Sequence, residues 1–228
     1  MVLAAGRGER LQSPVPKAYV PLGGKPLMLY SLEAFARFPP LGEIVVVIHP
    51  EDEGLFRARV QPLLELSQDV ELRVVCGGEH RQDSALAGVR ASRSPWVAVH
   101  DAARPFFSRE LLTALWEAAR EEGGAVPVLP VRESLHERGD RCLARPLDRE
   151  RLLRAQTPQL FARELLLRAL EEARRRGERF TDEAGAVLAL TACRPRAVPG
   201  EEFNLKITTP WDRKAAEAWL AAGLLPPP

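Results

Sequence analysis

The sequence predicts an α/β protein with a doubly wound, mostly parallel sheet, and three observations carry that prediction. Strand-like apolar runs alternate with helix-like stretches through the first 130 residues. The run 44–48 is entirely β-branched, which is typical of a parallel strand that is buried on both faces. A glycine-containing loop directly follows the first strand, at the edge where ligands of such sheets bind.

The elements of this alternating part follow from the same patterns. Strands are predicted at 2–5, 44–48, 70–75, 96–100 and 125–129. Helices are predicted at 26–38, 51–66, 80–93 and 109–122. Strict alternation implies right-handed crossovers and a parallel sheet that helices cover on both faces.

The alternation breaks near Pro130. Residues 131–149 are polar and charged and contain a turn at 138–140, so they are predicted to form a projecting β-hairpin, the arm. A hairpin without a core of its own is expected to pack on something else, such as a second subunit. The elements predicted after the arm are helices at 162–176 and after Thr181, strands at 194–198 and 203–207, and a last helix capped by Thr209 with Pro210 at its first position. Because no linker is visible, residues 1–228 are expected to form a single domain that contains the arm.

Composition excludes several classes of protein. The chain has 228 residues, of which 46% are hydrophobic, so it can bury one substantial core. A formal net charge of +1 gives no general attraction to nucleic acid or to an anionic membrane. Three cysteines without a Cys-x-x-Cys pair argue against a disulfide framework or a zinc site. With neither a membrane-length apolar run nor room for a signal peptide, we expect a soluble cytoplasmic protein.

The loop after the first strand has the composition of a polyphosphate cradle. Its small residues, which let backbone N–H groups approach an anion, are Ala4, Ala5, Gly6 and Gly8. Arg10 and Lys17 supply cations. The loop lacks the Gly-Lys-Ser/Thr end of a Walker A motif and has Leu11 where the dinucleotide fingerprint has its third glycine. Taken alone, the stretch would fit a glycine-rich surface turn equally well.

Further candidate site residues follow later strands. Gly77 and Gly78, with Ser84 in the next helix, can read a base edge through main-chain groups and a hydroxyl, although a flexible turn with a helix cap would have the same composition. Asp101, Ala102 and Arg104 follow the fourth strand, where a carboxylate and a guanidinium can bind ribose or metal and a phosphate; a surface ion pair is the alternative.

Two more residues are ambiguous by themselves. His100 could be a general base, but a histidine at a strand end is more commonly a packed, hydrogen-bonded residue. Lys206 is predicted on a half-buried strand, where burying a lysine costs desolvation energy unless it binds an anion. The alternative is a lysine of an edge strand whose ammonium reaches solvent.

Together these segments resemble the 2-C-methyl-D-erythritol 4-phosphate cytidylyltransferases of the non-mevalonate isoprenoid pathway. The motifs are, in order, Ala4-Ala5-Gly6-x-Gly8-x-Arg10 with Pro16-Lys17, Gly77-Gly78-x-x-Arg81-x-x-Ser84, Val99-His100-Asp101-Ala102-Ala103-Arg104-Pro105, Gln156-Thr157-Pro158-Gln159, Thr181-Asp182-Glu183 and Asn204-x-Lys206-Ile207-Thr208. They extend from Leu3 to about Asp212, almost the whole chain. Each motif is weak evidence alone, and six in order are strong.

The resemblance implies a Rossmann-like nucleotidyltransferase fold whose arm reaches across a homodimer. It also implies that CTP and 2-C-methyl-D-erythritol 4-phosphate give 4-CDP-2-C-methyl-D-erythritol and pyrophosphate. The implied cofactor is Mg²⁺, held mainly by the phosphates of CTP rather than by a protein metal site.

The family's residue roles carry over by motif. Arg10 and Lys17 match residues that stabilise the transition state at the α-phosphate, and Arg149 and Lys206 match residues that position the sugar phosphate. The positions that match the CTP site are Ala4, Ala5, Gly6, Gly8, Gly78 and Ser84. Asp101 and Arg104 match residues between the two substrates, and the remaining motif residues expected to contact substrate are Gly77, Ala102 and Thr157.

One departure affects the root of the arm. Glu133-Ser134 stands where the family pattern has Asp-Thr. Ser134 keeps a hydroxyl for the substrate phosphate but lacks the methyl group that fixes a threonine rotamer.

The physical chemistry agrees with the resemblance. A substrate phosphate is already ionised at neutral pH, so the reaction needs no general base, only cations that hold two anions in line. A ribitol 5-phosphate cytidylyltransferase would share the CTP site and is the nearest alternative. A nucleotide-binding module without catalysis is a second alternative, against which the presence of both Arg10 and Lys17 argues.

Overall fold

The computed structural model describes residues 1–11 and 13–225. Its strands are β1 Val2–Leu3, β2 Pro21–Leu22, β3 Lys25–Pro26, β4 Glu43–Ile48, β5 Glu71–Cys76, β6 Trp96–Asp101, β7 Gly124–Pro130, β8 Leu135–Arg138, β9 Leu143–Leu147, β10 Leu153–Ala155, β11 Gln159–Ala162 and β12 Arg196–Pro199. Its α-helices are α1 Leu27–Ala36, α2 Glu53–Arg59, α3 Arg81–Ala91, α4 Arg109–Glu122, α5 Arg163–Arg176, α6 Glu183–Leu190 and α7 Pro210–Ala221.

The central sheet has the strand order β10-β7-β11-β6-β1-β4-β5, and β12 pairs with β7 as well. β1 lies parallel to β4 and β6, β4 to β5, and β12 to β7. β11 runs antiparallel to both β6 and β7, and β10 runs antiparallel to β7. The predicted doubly wound, mostly parallel sheet is therefore confirmed, with its antiparallel strands on the side where the βα alternation ends.

The β-branched strand β4 shows why helices cover both faces. Ile44 and Val46 belong to the core that packs on α1 and α4, whereas Val45 and Val47 belong to the core on α3 and α5. Successive strand residues point to opposite faces, so both sides of β4 bury apolar side chains. Because both faces of β4 are packed, the position of its carboxyl end, where a polar loop begins, is well defined.

Most predicted elements are present within a few residues of their predicted bounds. The helix at 109–122 is confirmed, and α7 has Thr209 as its N-cap and Pro210 at its first position. The helix predicted after Thr181 is α6, with Asp182 as the cap that accepts a hydrogen bond from the Gly185 N–H. Among the described residues, no helix has the length and apolarity needed to cross a bilayer.

Two predicted elements are wrong. The helix predicted at 51–66 is an α-helix only over Glu53–Arg59, with short 3₁₀ turns on either side, because Pro62 lacks a backbone N–H. The described residues 203–207 form no strand. One backbone bond, from Ile207 N–H to the Ala103 carbonyl, ties this segment to the end of β6, and Asn204 N–H closes a turn onto Glu201.

The arm is present as a two-stranded sheet. β8 pairs only with β9 in the described sheets, and the side chains of both strands are mostly exposed. Arg149 closes the base of the arm by donating from Nη1 to the Arg132 carbonyl at 2.8 Å. The hairpin of β8 and β9 lies within the range 131–149 predicted for the arm, and the role of the arm in dimerisation stays a prediction.

Candidate active site

A cleft of about 260 Å³ lies at the carboxyl ends of β1, β5 and β6. Strand order reverses at β1, which makes this the position where open α/β sheets bind ligands. The predicted site residues that line it are Ala4, Ala5, Gly6, Gly8, Arg10, Lys17, Gly78, Ser84, Asp101, Ala102 and Lys206. Residues far apart in sequence are thus brought together by the fold.

A second cavity, of about 230 Å³, lies at the opposite edge of the sheet. It has a mainly apolar lining, including Phe35 and Trp96, and no Lys or Arg among its described lining residues. Its chemistry does not suit two anionic substrates.

The loop after β1 brings Lys17 into the cleft through a close backbone contact. Gly8 has φ +70°, and a Cβ atom there would lie 2.3 Å from Lys17 Cβ. Glycine is therefore required for both conformation and space. Lys17 begins a short 3₁₀ turn, which directs its side chain into the cleft.

The electrostatic surroundings of Lys17 weaken its hold on a proton. Burial, followed by the nearby cation of Lys206, lowers the pKa of the Lys17 ammonium to about 8. Asp101 acts in the opposite direction, and Arg10 adds further repulsion. An anion entering this cleft would relieve that repulsion.

The Gly77-Gly78 loop packs tightly against the first loop. Gly77 donates its N–H to the Ile48 carbonyl at 2.7 Å, and a Cβ on Gly77 would lie 2.6 Å from Ala5 Cβ. Gly78 donates its N–H to Ser84 Oγ at 3.2 Å. Ala5 and Gly78, one from each loop, both line the cleft.

Asp101 is the centre of a charged network on the floor of the cleft. Arg81 Nε donates to Asp101 Oδ1 at 3.0 Å, and Lys206 Nζ donates to Oδ2 at 2.6 Å. Arg81 also forms a two-pronged bond with Glu183, at 2.8 and 3.0 Å. Burial opposes the charge on Asp101, but Arg81 and Lys206 outweigh it and hold the pKa of the carboxyl well below its usual value.

His100 is a structural residue beneath this network. Its Nε2–H donates to the Arg104 carbonyl at 2.9 Å, and its Nδ1 accepts from the Thr157 hydroxyl at 3.1 Å. Burial lowers the pKa of the imidazole to about 3, so the ring is neutral at physiological pH. The same Thr157 oxygen accepts the Asp101 N–H at 3.1 Å. His100 therefore packs and orients, and does not act as a base.

Five predicted site residues do not line the cleft in the described chain. Thr157 is buried under Asp101, and Arg104 donates from Nη1 to the Asn204 carbonyl at 2.7 Å. Gly77 borders a neighbouring hollow behind the loop. Ser134 and Arg149 are exposed on the arm and at its base.

Sequence reasoning did not select two residues of the network. Arg81 belongs to the Gly77-Gly78-x-x-Arg81-x-x-Ser84 motif, but only the structure shows that it lines the cleft and binds two carboxylates. Glu183 follows the cap of α6 and has the sequence signature of a first-turn acid, so its burial had no signal in the sequence.

The described residues include no group of three or more His, Cys, Asp or Glu side chains that could chelate a metal. What the cleft offers instead is cationic charge from Arg10, Lys17 and Lys206 around the buried carboxylate of Asp101. Such an arrangement binds phosphates and stabilises charge that develops on them.

Comparisons with known proteins agree on one family. A family model described as "IspD: 2-C-methyl-D-erythritol 4-phosphate cytidylyltransferase" matches residues 1–222. The 2-C-methyl-D-erythritol 4-phosphate cytidylyltransferase of Sodalis glossinidius is 40% identical over 92% of this chain and 86% of its own length. A bifunctional IspD/IspF enzyme of Rhizobium etli is 39% identical over 99% of this chain, which spans only 57% of that enzyme. A crystal structure of the 2-C-methyl-D-erythritol 4-phosphate cytidylyltransferase of Thermus thermophilus superposes with a TM-score of 0.77 at 34% identity, covering 96% of this chain and 97% of that one.

Proposed function

Since the chain belongs to the 2-C-methyl-D-erythritol 4-phosphate cytidylyltransferase family, we propose that its cytidylyl transfer takes place in the cleft at the carboxyl ends of β1, β5 and β6. CTP and 2-C-methyl-D-erythritol 4-phosphate are its substrates, and 4-CDP-2-C-methyl-D-erythritol and pyrophosphate its products. The observation that carries this proposal is the convergence of Arg10, Lys17 and Lys206 on one cleft that two glycine loops border.

The reaction is an in-line displacement between two anions. A phosphate oxygen of the polyol substrate forms a bond to the α-phosphorus of CTP while the bond to the bridging oxygen of pyrophosphate breaks. Arg10 and Lys17 stabilise the negative charge that grows on the α-phosphate oxygens. Because the attacking oxygen is already ionised, the neutral, enclosed His100 is not needed as a base.

The polyol phosphate binds on the Lys206 side of the cleft, with Arg104 behind it. Arg149 and the Ser134 hydroxyl come from the arm of a second subunit in a homodimer. This part of the proposal is supported by the exposure of both residues and by the apolar Leu135 and Leu143, which stand exposed on the arm.

The residues of the cleft fit a Mg²⁺ ion that would be held mainly by CTP. Asp101 is the only buried carboxylate among the described cleft residues, and both of its oxygens are occupied by Arg81 and Lys206. A site of this kind fits Mg²⁺ that is held mainly by substrate phosphates and water, as Mg²⁺ commonly is. Bound in this way, the ion would screen the charge of the triphosphate.

Two other parts of the proposal concern the alternatives and the compartment. The family match favours methylerythritol phosphate over ribitol 5-phosphate, and the cationic cleft favours catalysis over simple nucleotide binding. Three free cysteines fit the reducing cytoplasm as the place of action.

A turnover assay tests the proposal. Purified enzyme with Mg²⁺ and CTP is given either polyol phosphate, and pyrophosphate release is measured together with the CDP-polyol product. Methylerythritol phosphate should support turnover at a far higher kcat/KM than ribitol 5-phosphate. Equal or greater turnover with ribitol 5-phosphate would overturn the substrate assignment, and CTP binding without turnover would overturn the catalytic one.

A further inference from the structure

Glu183 is a buried carboxylate for which the proposed function has no role. It is 1% exposed, opens helix α6 and does not line the cleft, as judged from the described lining residues. Its two oxygens accept hydrogen bonds from Nη1 and Nη2 of Arg81. Both terminal nitrogens of the guanidinium are therefore bound to this one carboxylate. Such a two-pronged bond fixes orientation as well as distance.

Arg81 transmits that orientation to the cleft. With Nη1 and Nη2 committed to Glu183, Arg81 reaches Asp101 through Nε and occupies Oδ1 alone. Oδ2 of Asp101 is left for the ammonium of Lys206, at 2.6 Å. The four side chains form a sequence of alternating charges from the interior to the cleft: Glu183, Arg81, Asp101 and Lys206.

Removing the charge of Glu183 would change the contact between Asp101 and Lys206 at the cleft end of this row of charges. A guanidinium released from Glu183 can turn its fork onto both oxygens of Asp101, because the bidentate arrangement is its preferred one. Lys206 would then lose its partner and its fixed position. A buried ion pair also gives little stability beyond what apolar residues would give, so folding alone does not account for the Glu183–Arg81 pair.

We propose that Glu183 is a positioning residue for the polyol phosphate: it holds Arg81 so that Asp101 keeps one oxygen free to fix Lys206 at the cleft. The inference rests on the proposed role of Lys206. It assigns a task to Glu183, the one residue of the Thr181-Asp182-Glu183 motif that is buried against Arg81.

The test uses Glu183→Gln, which keeps the size of the side chain and removes its charge. The KM for the polyol phosphate should rise about tenfold, a loss typical of one charge-assisted contact, while the KM for CTP changes by less than about threefold. The matched control is Glu43→Gln, another carboxylate whose side chain is largely buried, at the opposite edge of the sheet, where Ser92 binds it; its kinetics should equal those of the wild type. Equal rises in both KM values for Glu183→Gln would overturn the proposal.

A double mutant separates positioning from general damage. If Glu183 acts through Lys206, the Glu183→Gln, Lys206→Ala protein should be no worse than Lys206→Ala alone. Multiplying losses would mean that Glu183 acts by another route. A normal KM for the polyol phosphate in Lys206→Ala would instead refute the proposed role of Lys206, and with it the function assigned to that side of the cleft.

A second measurement does not depend on activity. The chain has four lysines, Lys17, Lys25, Lys206 and Lys214, so ¹³C-labelled lysine gives a spectrum that single substitutions can assign. In Glu183→Gln the Lys206 signal should shift while those of Lys25 and Lys214 stay in place. If that variant fails to fold, Arg81→Lys, which keeps the charge but lacks the fork, should shift the same signal. An unmoved Lys206 signal in a folded variant would overturn the proposal.

Discussion

Lys17 acquires its chemistry from residues that are distant in the sequence. Its ammonium is half-buried next to the cations of Lys206 and Arg10, and a glycine at position 8 makes room for its stem. Negative charge that grows on the α-phosphate in the transition state would offset the repulsion that Lys17 experiences from these two cations. Lys17 should therefore contribute more to the chemical step than to the binding of CTP.

Lys17→Ala should lower kcat by roughly 10²–10³, the loss typical of one preorganised donor, with a smaller change in the KM for CTP. Steady-state kinetics with saturating polyol phosphate measure both. Lys25→Ala is the matched control, because Lys25 is exposed and paired with Glu33 away from the cleft. A Lys17→Ala enzyme with nearly normal kcat would remove Lys17 from the catalytic role.

The pH dependence should show the lowered pKa of Lys17. The pKa of Lys17 is about 8, so Lys17 of the free enzyme is protonated at a pH below that value. It loses the proton as the pH rises through the pKa. The kcat/KM for CTP should therefore fall on the alkaline side with an apparent pKa near 8. Lys17→Arg, which stays charged, should be slower but should lack this fall. A wild-type profile that stays flat well into the alkaline range would contradict the assignment.

At the scale of single residues, the sequence indicated that Arg10, Lys17 and Gly8 lie in one phosphate-binding loop, because their chemistry is local to their motif. It could not show that Thr157 lies under Asp101 rather than in the cleft, or that Glu183 is buried. Both facts depend on which strands are neighbours, and short motifs contain no information about that.

Among the elements, we expect the two glycine loops to determine which base the cleft accepts. The Gly77-Gly78 loop packs against Ala5 of the first loop, and we expect this packing to exclude the larger purine bases. Cytosine and uracil present a donor and an acceptor at the same ring position, so a site that pairs with one leaves polar groups unpaired with the other. The kcat/KM should strongly favour CTP over UTP and purine nucleotides. Comparable values for CTP and UTP would contradict this account of the loop.

The first loop allows a sharper comparison of glycines. Gly8→Ala should both lower the melting temperature and raise the KM for CTP, since the added methyl group would meet Lys17 at a positive φ. Gly42→Ala is the control, because a Cβ there would have no neighbour within 4 Å. Thermal unfolding and CTP kinetics of the two variants test this. A Gly8→Ala protein as stable and active as Gly42→Ala would show that the loop has another conformation.

Elements with strong periodicity were predictable, and those held by side chains were not. Helix α4 has apolar residues at helical spacing with charged residues between them, and its bounds follow from the sequence. The segment that carries Lys206 looked like a strand because apolar residues flank the lysine, but the side chains of Asn204 and Arg104 tie it to its neighbours instead. The antiparallel β11 between β6 and β7 was also missed, since strand order is a property of the whole sheet.

For the whole molecule, the central question is how the cleft is completed. One chain brings Arg10, Lys17 and Lys206 together, but the described arm projects with Arg149 and Ser134 outside that cleft. The arm pairs only with itself in the described sheets, so its position alone does not bury its exposed Leu143. An isologous dimer in which the arms are exchanged would cover that surface and supply the missing residues to both sites.

Complementation between two inactive variants tests this account most directly. Lys17→Ala and Arg149→Ala proteins are unfolded together, refolded as a mixture and assayed, with mixed dimers verified by native mass spectrometry. Random pairing makes half of the dimers mixed, and each mixed dimer has one intact site and one doubly damaged site. Activity should therefore recover to about a quarter of the wild-type value, while each variant refolded alone stays nearly inactive. Verified mixed dimers without recovery would contradict the shared site and place Arg149 in its own chain's site or outside any site.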